Sequence, residues 1–493
     1  MLKTKLLVKN SLFSFGGKVG SVLAALVGIP IIIKHAGTEQ FGLLSILWIS
    51  IGYLAVFDLG IGRTITQFVS NQLGKNSLED VGPYIGSAIL ITLFAGIGVG
   101  GLVLFISPYI CRNLFNIPPD LLESSITSFN LLGVIVPFIL VSQVLRGALE
   151  AFQQFKKTAF LAASVSAGTY LSIAAVAYFY QNFILLIVAL CAFKVVNALT
   201  LYYLLQKEIS SSSIKIRYSV KQIPELLKFG QWVTVSNIIS PLMGNLDRFI
   251  IGSVITMSAV AYYTTAFDMV SKVNIIPTSL ASVMFPAFSA VYQSNQLQTR
   301  KLYRQSLLLL QWLMLPAVCG LILFSYEILL LWLNKEFAEN SSLILQILGV
   351  GIFFSNLAQI SFSFLQAAGH PQITAKIHAI ELPLFLIILW ILINHFGIIG
   401  AALASTIRII SDQLFLMIFA DKIMGKKIEV ITFFGLPLTV LLSTFMLVHF
   451  VPDLWIRAII FGFSTLLFYL IVWKWFLNNK HKEVMGSLLN RGS

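Results

Sequence analysis

Charge is scarce in this sequence: Asp, Glu, Lys and Arg make up 11% of 493 residues, where soluble domains carry about a quarter. So few charges cannot solvate a globule of this size, which excludes an ordinary water-soluble protein. Cysteine is scarce too. Cys111, Cys191 and Cys319 lie far apart without paired or metal-ligand spacing, so they are assigned neither a disulfide framework nor a metal cluster. Long polar loops are missing, as are a phosphate-cradling glycine loop with its lysine and any Ser/His/Asp constellation. The chain has no room for a catalytic domain, and no cofactor is expected.

What the sequence has instead is apolar residues, 57% of the total, with a mean hydropathy of +0.88. Hydrocarbon cannot hydrogen-bond a bare backbone, so a spanning chain must form helices or a closed barrel. The apolar runs are long and do not alternate strictly, which selects helices. The formal charge of +13 does not point to nucleic acid, because the basic residues are scattered between apolar segments and form no patch. The basic start Lys3, Lys5, Lys9 imitates a signal peptide, yet the apolar stretch after it has no small-residue cleavage site and reads as a first span.

Apolar windows predict about fourteen spans, near 10–33, 41–63, 82–108, 123–147, 157–180, 182–206, 224–254, 258–290, 303–327, 341–367, 373–394, 397–421, 429–450 and 453–477. Lys and Arg concentrate in the loops on the side of the two termini, and the opposite loops hold only Lys34, Arg112, Lys335 and Arg457. By the positive-inside rule both termini are cytoplasmic.

An internal repeat is visible when Leu7 to Trp48 is laid on Leu226 to Phe267, which pairs Lys9 with Lys228. Further along, Gly147–Ala159 falls on Ser363–Ala375, and Lys194 falls near Arg408. The expected architecture is an all-α integral membrane protein with two homologous six-helix halves, 1–208 and 223–423, around a central cleft. A Ser-rich cytoplasmic linker, 209–222, joins them, and 424–493 holds two additional helices and a cytoplasmic tail.

Charges inside spans are costly and face protein or a wet cavity. The embedded cations are Lys18, Lys194, Arg248, Lys272 and Arg408, with Arg63 and Arg146 nearer the cytoplasmic ends; the embedded acids are Asp58, Asp247, Asp268, Glu381 and Asp412. Helical spacing places Ser11, Ser14, Lys18 and Ser21 on one face of span one. Gln231, Thr234, Asn237, Pro241, Asn245, Arg248 and Gly252 form a stripe on span seven, and Ser405, Arg408 and Asp412 share a face of span twelve. An excess of cations suits an anionic ligand such as a pyrophosphate. Against this, Asp268 with Lys272 and Arg408 with Asp412 have the spacing of local ion pairs. Glu381, with His378 one turn before it, is a candidate proton or cation site, and a hydrogen bond to a neighbouring span is the structural alternative. Asp58 in "FDLGIGR" is flanked by glycines that suit close helix contact, so its role is either local or in coupling.

The segments "DLGIGRTITQFVS", "LRGALEAFQQF", "NLDRFIIGSV" and "VMFPAFSAV", with the stretch from Leu7 to Trp48, resemble the recurrent segments of Wzx-type polysaccharide biosynthesis flippases. These belong to the superfamily that holds the multidrug and toxin extruders and the lipid II flippase. The resemblance covers nearly the whole chain. It implies transport of undecaprenyl-diphosphate-linked oligosaccharide to the outer leaflet of a bacterial inner membrane, for O-antigen or capsule, beside the polymerase and chain-length machinery. The expected mechanism is alternating access of the two halves, driven by an H+ or Na+ gradient because no nucleotide-binding motif is present. Lys18, Arg146, Lys194, Arg248, Lys272 and Arg408 are then the expected substrate-binding cations, and Asp58, Asp268, Glu381 and Asp412 the possible coupling acids. The rivals are a cation-coupled drug exporter, which would favour acids in its cavity, and a glycan polymerase or acyltransferase, which needs a larger outer loop than any here.

Overall fold

In hydrocarbon the backbone must satisfy its own hydrogen bonds, and a helix does so within each segment. The computed structural model describes residues 20–58, 60–75, 78–211, 214–219, 222–292, 295–425 and 431–475, and every regular element among them is helical. The chain forms two compact units, Met1–Thr264 and Thr265–Ser493. The division by packing lies beyond the linker read from the sequence.

The first unit contains α1 (Gly20–Ala36), α2 (Thr38–Leu54), α3 (Ile61–Gly74), α4 (Leu78–Tyr109), α5 (Pro119–Ala151), α6 (Phe155–Tyr180), α7 (Phe183–Ser211) and α8 (Ile223–Val254), with the start of α9 (Met257–Ser271). Helix α5 is its centre, packed by α2, α3, α4, α6 and α7. Small residues permit this. A Cβ on Gly96 would meet the backbone of Pro137, one on Gly100 the carbonyl of Gly133, and one on Gly147 the carbonyl of Gly62. Lipid supplies no hydrophobic drive between helices, so such close backbone approach is how they associate. The close contact expected of the glycines around Asp58 is present: Gly62 lies against Gln143, and Thr66 donates to the Gly147 carbonyl at 3.0 Å.

The segment read as a linker lies along α4. Ser87 donates to the Ser219 carbonyl at 2.9 Å, Tyr84 donates to Glu225 at 2.8 Å, and Gly82 and Gly86 leave space for the Lys215 and Arg217 carbonyls. A buried apolar cluster including Ile65, Val81, Leu145, Leu205 and Leu226 fills this end of the unit.

The second unit holds the rest of α9, then α10 (Ile275–Tyr292), α11 (Gln296–Leu323), α12 (Ser325–Trp332), α13 (Lys335–Ala367), α14 (Pro371–Met424), α15 (Leu436–Phe450) and α16 (Leu454–Trp475). Helix α13 is the most buried, tied to α11 by a hydrogen bond between Tyr303 and Ser361 (2.7 Å) and to α14 by Thr406 donating to the Ile347 carbonyl (2.9 Å). Helix α14 runs 54 residues and breaks at Gly397, where φ is 56° and ψ −136°. Side chains strain at positive φ, so glycine stands at the corner. Gly400 packs on the Leu392 carbonyl, and the two arms fold back along each other. They account for two of the predicted windows.

Nine described helices are long and apolar enough to cross a membrane, and two more apolar ones, Gly20–Ala36 and Leu454–Leu470, are shorter. Large apolar side chains such as Phe105 (85% exposed) and Leu331 (87%) stand on the outside of this all-helical membrane protein, as suits a surface solvated by lipid.

Candidate functional site

In the first unit, α2, α5, α6 and α7 enclose a cavity of about 190 Å³. Arg146 and Gln143 reach it from α5, and Lys194 and Asn197 from α7, while Trp48, Ser166 and Thr169 complete its polar and aromatic wall. The spacing from Lys194 to Asn197 and Leu201 repeats one helix face, which is why all three line the same space. Two of the cations singled out in the sequence therefore meet here.

Their surroundings differ. Arg146 is paired with Glu150 one turn on, at 2.8 Å. Lys194 forms no ion pair with any described residue. Gln143, Ser166 and Asn197 make no side-chain hydrogen bond among the described residues, so their donors and acceptors are available to an occupant. Ser142 and Thr169 donate to backbone carbonyls of their own helices, which leaves hydroxyl lone pairs toward the cavity. The indole of Trp48 packs on Tyr170, ring centroids 4.6 Å apart. An ammonium and a guanidinium bind phosphate oxygens, while amides, hydroxyls and an aromatic face suit a sugar. Trp48, Gln143, Ser166 and Asn197 were not singled out in the sequence; the spacing of Gln143 to Arg146 and Lys194 to Asn197 was the signal available.

The other expected cations lie elsewhere. Arg248 is buried on α8, hydrogen-bonded to Asn245, while neighbouring Asp247 accepts from Tyr263. This network ties α8 to α9 inside the first unit. Lys272 stands in the short turn of helix between α9 and α10. It makes no ion pair with Asp268 among the described residues, so that expected pairing is absent: the helix tightens at Lys272–Asn274 and the one-turn register is lost. Arg63 is exposed. Lys18, Ser11 and Ser14 lie outside the described residues, as do the side chains of Gln231, Thr234, Asn237 and Pro241.

Asp58 has a local task. Its carboxylate accepts from the Gly60 N–H at 2.8 Å and the Gly62 N–H at 3.3 Å. These are backbone donors at the start of α3 that no helical carbonyl reaches.

In the second unit, the two arms of α14 bring His378, Glu381, Arg408 and Asp412 together. His378 Nε2 lies 3.4 Å from Asp412 Oδ1, and the ligating atoms of His378, Glu381 and Asp412 all fall within 4.8 Å of one another. The Arg408–Asp412 pair expected from their spacing does not form: Asp412 turns to His378 on the other arm, and the Arg408 guanidinium lies 5.3 Å over the Phe385 ring. A contact across a folded-back helix outweighs one along it here.

Comparison with known proteins places these features in a family. A family model described as "Polysaccharide biosynthesis protein" matches residues 37–342. A Shigella flexneri protein named for O-antigen transport is 30% identical, over 83% of this chain and 96% of that protein. Among solved structures, the lipid II flippase MurJ in an inward closed conformation superposes with a TM-score of 0.74 at 17% identity, covering 94% of this chain and 99% of that one. A multidrug resistance MATE family transporter of the MOP superfamily, inward-facing, superposes with a TM-score of 0.71 at 13% identity, over 82% and 94%. The last two likenesses concern the fold.

Proposed function

The chain belongs to the polysaccharide biosynthesis protein family and is a membrane transporter rather than an enzyme, and from that premise we propose that it flips undecaprenyl-diphosphate-linked oligosaccharide from the cytoplasmic to the outer leaflet. The observation that carries this reading is the cavity where Lys194 and Arg146 stand beside free amide groups and the Trp48 ring. The cations match a pyrophosphate, and the remaining wall matches sugar hydroxyls and ring faces. The prenyl tail stays in lipid, where apolar chains are already solvated.

Transport proceeds by alternating access, in a bacterial inner membrane with both termini cytoplasmic. H+ or Na+ supplies the direction. The glycan serves O-antigen or capsule assembly, and its next handlers are the polymerase and chain-length machinery. A drug exporter of like fold is the second reading, favoured by the MATE superposition; a cavity whose unpaired charge is a lysine disfavours cationic drugs.

The test is deletion of the gene in its host and complementation with wild type or Lys194→Ala at equal expression. The expected result is lost surface glycan with lipid-linked intermediate accumulating on the cytoplasmic leaflet, restored by wild type only. Normal surface glycan in a deletion strain without a second flippase would contradict the reading and bring drug export forward.

A further inference from the structure

We propose that His378, Glu381 and Asp412 form a binding site for a divalent transition-metal cation, joining the two arms of α14 across the Gly397 corner.

The geometry starts from the helix. His378 and Glu381 are three residues apart and project from one face of the first arm, and Asp412 faces them from the second. One nitrogen and two carboxylates lie within 4.8 Å of one another. Around a tetrahedral zinc at 2.0–2.2 Å the ligand atoms stand about 3.4 Å apart, so side-chain rotations that move them by about an ångström close the set. The Phe362 ring stacks parallel to the His378 ring, 6.4 Å away and inclined by 7°, and restricts its plane.

A second, independent observation points to an occupant. Glu381 is 6% exposed, and neither of its carboxylate oxygens has a hydrogen-bond partner among the described residues, while Asp412 Oδ1 has only the 3.4 Å approach of His378 Nε2. A buried carboxylate without a partner is strongly disfavoured, and proteins resolve this by protonating it, pairing the charge or coordinating a metal; the imidazole and second carboxylate facing Glu381 favour coordination. Arg408 is the nearby cation, but its guanidinium sits over Phe385 and forms no ion pair with either acid. Two carboxylates leave room for a divalent charge.

The donor set selects the class of ion. Calcium and magnesium take oxygen ligands, whereas imidazole with carboxylates suits zinc and its first-row neighbours. Three protein ligands leave one tetrahedral position open for water.

The test uses the full chain in detergent micelles, stripped with a chelator and then exposed to Zn2+, Co2+, Mg2+ or Na+. The expected result is one Zn2+ bound per chain and a raised Tm, with no response to Mg2+ or Na+. His378→Ala, Glu381→Gln and Asp412→Asn should each weaken Zn2+ binding by at least about tenfold, while His370→Ala and His395→Ala leave it unchanged. Co2+ absorption of the wild type needs no variant: intense low-symmetry bands support the site, and an aqua-ion spectrum overturns it. Zn2+ binding that survives in all three variants, stabilisation by Na+ alone, or no Zn2+ uptake by the wild type would each overturn the proposal.

Discussion

Arg146 and Lys194 line the same cavity from α5 and α7, yet among the described residues only Arg146 has a counter-ion, Glu150 at 2.8 Å. The two cations are therefore unequal. Glu150 already satisfies part of the guanidinium, whereas Lys194 has no ion-pair partner among the described residues and is available to an anionic occupant.

Lys194→Ala should accordingly reduce glycan transport more than Arg146→Ala. Loss of a charge-assisted hydrogen bond costs about 1.5–3 kcal/mol, or roughly 10- to 150-fold in affinity. Lys194→Arg should recover most of the activity. Surface glycan from each variant at matched expression checks the order; equal defects would contradict it.

Asp58 is expected to act through α3. Asp58→Ala removes the acceptor for the Gly60 and Gly62 N–H groups and should lower stability by about 1 kcal/mol. Asp58→Asn keeps one acceptor oxygen and should retain transport. Abolished transport in a stable Asp58→Asn protein would show that the carboxylate's charge is needed for coupling.

Arg457 and Glu327 should behave as a buried pair. Arg457 is 6% exposed, donates to the Leu323 carbonyl at 2.8 Å and pairs with Glu327, fastening α16 to the α11–α12 corner. Arg457→Ala should lower stability by about 3–5 kcal/mol, because it strands the acid, and Arg457→Met with Glu327→Gln should recover much of it. Thermal unfolding in detergent of the single and double variants makes the comparison.

Gly100 and Gly133 allow α4 and α5 to touch backbone to backbone. Gly100→Val should force them apart at a cost of about 1–3 kcal/mol, while a similar change at Gly98, whose Cβ would meet nothing within 4 Å, should be close to neutral. The Tm of the two variants separates these outcomes.

Much of the helical layout was legible because hydrophobicity and loop charge are local signals. The windows 373–394 and 397–421 correspond to the two arms of α14, and Gly397 marks the corner between them. What the sequence could not reveal is which residues meet across helices. Arg408 and Asp412 have ion-pair spacing, yet Asp412 faces His378, 34 positions earlier, because the chain folds back between them. Arg457 reads as a loop charge beside Pro452 and Asp453, since its partner Glu327 is distant in the chain. The convergence of Arg146 and Lys194 depends likewise on packing around α5. Helical spacing marked polar stripes on spans one, seven and twelve, whereas this cavity is lined from α2, α5, α6 and α7, a set that only packing defines.

Flipping by this chain is measured directly as translocation by the purified protein. Vesicles carrying a fluorescent undecaprenyl-diphosphate-linked oligosaccharide in the inner leaflet are reconstituted with wild type or Lys194→Ala, and arrival in the outer leaflet is read by a membrane-impermeant quencher. Rapid arrival is expected with wild type under an imposed H+ or Na+ gradient, and at least about tenfold slower arrival with Lys194→Ala. Arrival no faster than in protein-free vesicles, or equal rates for the two proteins, would contradict this expectation.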